Sequence, residues 1–236
     1  MLGLEVQVGA AKTPKYAVSE SGDTLELIER PHGGVSAVLV DGQRSGRAAK
    51  IISNIVARKA ISLLGEGVRD GAAARAAHDY LRTHRGGQVS AELQMLSVDL
   101  VTHTLVISRN THCPTWVVRE GRLERLEGGN EPIGIHANTK PTIVELPLAA
   151  PLYAVLVTDG LVTAGMRTGA PLDLDRLVLE GALAHSPAQA LADSLLEAAL
   201  AADQGRPLDD CTVLVLAVLP RQEEVQVRRY SLSIAI

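Results

Sequence analysis

The sequence predicts an α+β fold, a four-layer α-β-β-α sandwich of two antiparallel sheets flanked by helix pairs. Strand-like and helical stretches are grouped along the chain: strands, a helix pair, strands, a second helix pair, strands again. That grouping departs from the βαβαβ rhythm of a doubly wound parallel sheet. The strand-like runs are close to continuously apolar, and the helices are amphipathic. Two sheets stacked face to face, each with helices on its outer side, bury both kinds of surface together.

The elements follow in order. Apolar or alternating β-type runs fill Leu4 to Val8, Thr24 to Arg30 and Val35 to Val40. A helical pattern from Gly46 to Leu64 sets Ile51, Ile52, Ile55, Val56 and Leu63 on one face, and an Ala-rich helix runs from Arg69 to His84. Further β-type runs fill Val89 to Val98, Thr104 to Ser108, Thr115 to Val118 and Leu152 to Thr158. A late helical block spans Leu174 to Asp203. Its second member opens with Ser186-Pro187-Ala188-Gln189, a sequence suited to a capping box with Pro at the first helical position. Strands are expected again at Thr212 to Leu219 and Glu224 to Leu232.

The chain has 236 residues, 46% of them hydrophobic and 21% charged, which is ample for a sizeable core. At about 150 residues per domain, and with no repeat or long Pro/Gly/Ser linker, residues 1–236 read as a single domain. The formal net charge is -4, Phe is absent, and the aromatic set is Trp116, Tyr16, Tyr80, Tyr153 and Tyr230. Phosphate-backbone binding needs clustered Lys and Arg, and single strands need stacking platforms, so no nucleic-acid partner is expected. No apolar run reaches the ~18 residues of a membrane span and no leader pattern follows Met1, so the expectation is a cytoplasmic protein with no membrane partner. Cys113 and Cys211 lack CxxC spacing and read as buried thiols.

Four acids stand at strand ends beside small or turn-forming residues: Asp23, Asp41, Asp159 and Asp209. The turn Pro31-His32-Gly33-Gly34 lies midway between Asp23 and Asp41, and residues equidistant from a hairpin turn sit opposite one another. Asp159 closes its strand as Asp41 does, and Asp209 opens its strand as Asp23 does, which predicts a second facing pair. A cluster of like charges is unfavourable unless cations neutralise it, and hard divalent ions suit oxygen ligands. Glu26, Glu29, Asp79, Glu124 and Glu127 read as solvated surface.

The flanks of these acids resemble the metal-dependent serine/threonine protein phosphatases of type 2C, more closely their bacterial branch of sporulation-stage-II and stress-response regulators. The matching stretches are Ser21-Gly22-Asp23, Val40-Asp41-Gly42-Gln43-Arg44-Ser45-Gly46, Asn110-Thr111-His112-Cys113-Pro114, Asn130-Glu131-Pro132-Ile133-Gly134-Ile135, Val155 to Leu161 and Asp209 to Val215. The resemblance implies two Mn²⁺ or Mg²⁺ ions that lower the pKa of a shared water, which attacks phosphorus in line. It implies Asp41 as the bridging carboxylate, the Gly42 carbonyl as a ligand, and Asp23, Asp159 and Asp209 as further metal ligands, with Asp210 close behind.

The resemblance also implies a phosphorylated protein substrate, of the anti-anti-sigma or stressosome scaffold type. Two departures accompany it. Gln43 stands where type 2C enzymes commonly carry His, and Val18 and Ser19 occupy the neighbourhood of the Arg that grips phosphate in eukaryotic members. Arg44 and Lys15 are substitutes by charge and proximity, Arg44 being taken as the catalytic-site contact to phosphate. The alternative is a catalytically weak or silent member that binds a phosphorylated partner. A Rossmann-type site is disfavoured because Gly42 and Gly46 lack the first G-x-G turn, and no G-x-S-x-G elbow is present.

Overall fold

The computed structural model describes residues 3–128, 131–221 and 227–234. Its elements are β1 (Leu4–Thr13), β2 (Thr24–Glu29), β3 (Val35–Gly42), α1 (Gly46–Gly65), α2 (Asp70–His84), β4 (Ala91–Asp99), β5 (Thr104–Asn110), β6 (Thr115–Arg119), β7 (Arg122–Leu126), β8 (Thr142–Pro147), β9 (Leu152–Val157), α3 (Asp159–Val162), α4 (Leu174–Leu183), α5 (Ala188–Ala202) and β10 (Cys211–Pro220). They form two five-stranded sheets, β1-β10-β9-β6-β7 and β2-β3-β4-β5-β8, antiparallel throughout. The predicted α-β-β-α sandwich is the observed one.

Continuous apolar strands follow from having a buried layer on each face. In β3, Val38 and Val40 pack under α1 and α2, while Ala37 and Leu39 face the other sheet. In β10, Val213, Val215 and Ala217 pack under α4 and α5, while Leu214, Leu216 and Val218 enter the layer between sheets. Successive strand residues point to opposite faces, so a strand buried on both sides is apolar at every position. Each such Val or Leu contributes about 1.5–3 kcal/mol on burial. In α1 the buried line is Ala49, Ile52, Ser53, Val56, Ala57, Ala60 and Leu64. Ile51, expected on that face, is 46% exposed.

Other expectations are corrected. The short strands β7 and β8 and the one-turn helix α3 are additions to the expected elements. The stretch Glu224 to Leu232 does not bear out its expected strand: Val227 to Leu232 has no regular structure, and 224–226 lie outside the described residues. Instead Arg228 Nη2 donates to the Gly33 carbonyl at 2.8 Å, and the Tyr230 hydroxyl donates to Glu29. The capping box at Ser186 does not form either. The α5 cap position falls on Pro187 without a side-chain bond, the Ala188 N–H donates to Gln7 Oε1 at 3.1 Å, and Gln189 bonds Ala10 through both N–H and carbonyl. Tertiary bonds from β1 thus replace the local cap. Among the described residues no helix is long and apolar enough to cross a membrane. Cys113 and Cys211 are buried free thiols.

Candidate metal and phosphate site

The β2/β3 register pairs Thr24 with Val40. One residue further out, Asp23 and Asp41 therefore face each other at the open end of the hairpin. In the other sheet β9 and β10 pair Val157 with Val213, and the Thr158 N–H donates to the Thr212 carbonyl at 3.1 Å. That ladder ends at Asp159 and brings in the Asp209–Asp210 turn. Both sheets thus deliver their acids to the same edge of the sandwich.

A cleft of about 370 Å³ opens there, lined by Asp41, Gly42, Arg44, Glu92, Asp159 and Asp209, together with Lys15, Gln43, Ser45, Ser90, Ala91 and Pro132. Asp23 is not on its wall. It is wholly buried beside Asp41, with Oδ2 accepting from the hydroxyls of Thr158 at 3.0 Å and Thr212. Its Oδ1 meets no donor among the described residues. Burial, opposed by those two hydroxyls and augmented by the Asp210 charge, holds the Asp23 carboxyl above the usual range.

Asp41 is raised much further, first by burial and then by the charges of Asp23, Asp159, Glu92 and Asp209. Asp159, at the start of α3, is pushed up to about 6 by burial and by Asp209 and Glu92. Glu92 is the residue that sequence reasoning missed. It stands opposite Asp41 in the β3/β4 register, but an isolated Glu near a strand start carries no turn signal to mark it.

Two glycines let the site close. A Cβ on Gly42 would stand 2.1 Å from the Ala49 carbonyl, and one on Gly160 would stand 2.3 Å from the Asp210 carbonyl. Only glycine admits α1 and the Asp210 turn this close to the acids. Asp210 braces the loops, accepting the Lys15 N–H at 2.9 Å and the Gly22 N–H at 2.8 Å. Gln43 is engaged with the β4 approach: its N–H donates to the Ser90 carbonyl and its Oε1 accepts the Ser90 N–H, both at 3.1 Å. Arg44 is exposed on the cleft wall with its backbone at φ +80°.

The remaining motif stretches support this edge. Asn110 Nδ2 donates to the carbonyls of Glu131 and Lys140, each at 3.1 Å. Ile133 pairs with Ala91, and the Gly134 N–H donates to His78 Nδ1 at 3.0 Å, which holds Pro132 at the cleft. Asn130 lies outside the described residues. Because β3 runs antiparallel to both neighbours, Gly42 and Gly46 are not a dinucleotide-binding turn.

Among the described residues, no group of three or more His, Cys, Asp or Glu side chains is arranged so as to hold a metal ion as it stands. The donor set nevertheless fits a hard divalent cation. All its members are oxygens, they repel one another as they stand, and the buried Asp23 Oδ1 lacks a partner among the described residues.

Comparison with known proteins agrees with the fold. Stage II sporulation protein E of Bacillus subtilis (strain 168) is 24% identical over 214 residues, covering 90% of this chain and 26% of that protein. This chain thus spans about a quarter of that relative's length. The structure of the PP2C phosphatase domain and a regulatory-domain fragment of SpoIIE from Bacillus subtilis superposes with a TM-score of 0.79 at 21% identity, covering 93% of this chain and 65% of that one. The catalytic domain of the serine/threonine protein phosphatase PstP, in complex with two manganese ions, gives 0.70 at 18% identity, covering 92% and 100%. The family described as Stage II sporulation protein E (SpoIIE) matches residues 31–219. The chain belongs to the SpoIIE family, and its fold is that of the PP2C phosphatases.

Proposed function

We propose that this chain is a metal-dependent phosphoserine/phosphothreonine protein phosphatase acting as one domain over residues 1–236. The observation that carries this reading is the gathering of Asp41, Asp159 and Asp209 from two sheets on one cleft beside Arg44 and Lys15, with Asp23 Oδ1 buried and unpartnered next to Asp41. Asp41, the Gly42 carbonyl, Asp23, Asp159 and Asp209 would hold two Mn²⁺ or Mg²⁺ ions. Bound ions at such a site supply a water of lowered pKa and positive charge for phosphoryl oxygens.

The chain's own groups do the rest. Arg44, exposed and free to turn into the cleft, grips the substrate phosphate by a charge-assisted contact. Lys15, whose backbone is fixed by Asp210, adds a second positive charge. Thr158 and Thr212 orient Asp23, and Asp210 fixes the loops on which the ligands sit. The proposed substrate is a bacterial signalling phosphoprotein of the anti-anti-sigma or stressosome type, met in the cytoplasm. Mn²⁺-dependent release of inorganic phosphate from a phosphoserine protein of that type tests the reading. Capture of the phosphoprotein without phosphate release would favour the catalytically silent alternative.

A further inference from the structure

Glu92 belongs to none of the motifs that mark the site, yet it lies directly opposite Asp41 in the β3/β4 pairing and on the same cleft wall. Directly opposed residues carry their Cβ atoms about 4.5–5.5 Å apart on one face, and like charges so placed repel. Glu92 is held in that position from outside the pair. The Thr111 hydroxyl and the His112 N–H, the latter at 3.1 Å, donate to its two carboxylate oxygens from the turn between β5 and β6.

Glu92 shares the cleft wall with Asp41 of its own sheet and with Asp159 at the end of the other. Among the described residues, neither Glu92 nor Asp41 forms an ion pair with Lys, Arg or His. Two facing carboxylates with no compensating cation are unfavourable as they stand. The wholly buried Asp23 Oδ1, next to Asp41 and without a donor among the described residues, separately favours an electropositive partner.

We infer that Glu92 is a further carboxylate arm of this centre, contributing oxygen and charge to a divalent cation held between the two sheets. The inference rests on the metal-site reading proposed above.

The test is calorimetric titration of Mn²⁺ into the full chain, wild type against Glu92→Gln, with metal-free melting curves of both. Gln keeps the shape and an acceptor for the turn but removes the charge. Glu92→Gln is expected to weaken Mn²⁺ binding roughly tenfold or more, and to leave the metal-free melting temperature unchanged or higher. Wild-type binding with Glu92→Gln affinity within twofold would overturn the inference and leave the metal site standing, with Glu92 reduced to a prop for the turn. Absence of Mn²⁺ binding by the wild type would overturn the metal-site reading and the inference with it. Should Glu92→Gln fail to fold, Glu92→Asp, which keeps the charge but withdraws the oxygen, decides the same question by its Mn²⁺ affinity.

Discussion

The Thr158 hydroxyl donates to Asp23 Oδ2 at 3.0 Å, joining the end of β9 in one sheet to the start of β2 in the other. The same Thr158 oxygen accepts the Thr212 N–H at 3.0 Å, so one side chain ties three segments at the cleft. Thr158→Val removes the hydroxyl and leaves that buried N–H without its acceptor. The expected loss of stability is about 1–3 kcal/mol, read as a lower midpoint in denaturant unfolding. An unchanged midpoint would show that the two sheets do not depend on this bond.

Asp41→Asn separates function from folding. Burial and the facing acids disfavour the Asp41 charge when no metal is bound, so the metal-free variant should melt at the wild-type temperature or above it. Phosphatase activity should be lost. A metal-free melting temperature lowered by many degrees would make Asp41 a structural turn residue.

The acids set a pH dependence of definite sign. Asp159 has a folded pKa of about 6 against an ordinary value of 3.8, so the folded chain holds this proton more tightly than the unfolded one. Such a group costs nothing below about pH 4 and becomes fully destabilising above about pH 6. Asp41, raised further, carries the same trend to higher pH. The metal-free chain is therefore expected to lose stability as pH rises from 5 to 8, with a smaller slope in Asp159→Asn. Equal slopes in wild type and variant, from unfolding midpoints across that range, would contradict the assignment.

Much of the site was legible because turn chemistry and strand register are local. Asp23 and Asp41 face each other because a hairpin turn sits midway between them, and Asp159 and Asp209 stand at strand ends beside turns. The parts that could not be read depend on distant neighbours. β7 and β8 mix charged and apolar residues because each is an edge strand, and so neither shows a continuous apolar run. The alternating apolar residues around Tyr230 and Leu232 read as a strand, but among the described residues no strand pairs with them and both are exposed. Gln189 fits a local cap and is drawn instead to Ala10, 179 residues away. Glu92 becomes visible only when the β3/β4 register sets it against Asp41.

Arg44→Ala tests how phosphate is held. Loss of a charge-assisted contact should raise the Michaelis constant for a phosphoprotein with a cost of about 1.5–3 kcal/mol. Mn²⁺ affinity, measured by calorimetry, should not change, since a guanidinium does not ligate a cation. An unaltered Michaelis constant would return Arg44 to the solvated surface.

In the proposed function, the acids at this sandwich edge make a metal-dependent phosphatase. Its most direct test is hydrolysis of a generic aryl phosphate by the purified chain, followed first with added Mn²⁺ or Mg²⁺ and then with excess chelator. Turnover that requires the metal and disappears on chelation is the predicted result. Turnover that continues undiminished in chelator, with residual metal shown to be negligible, would contradict it.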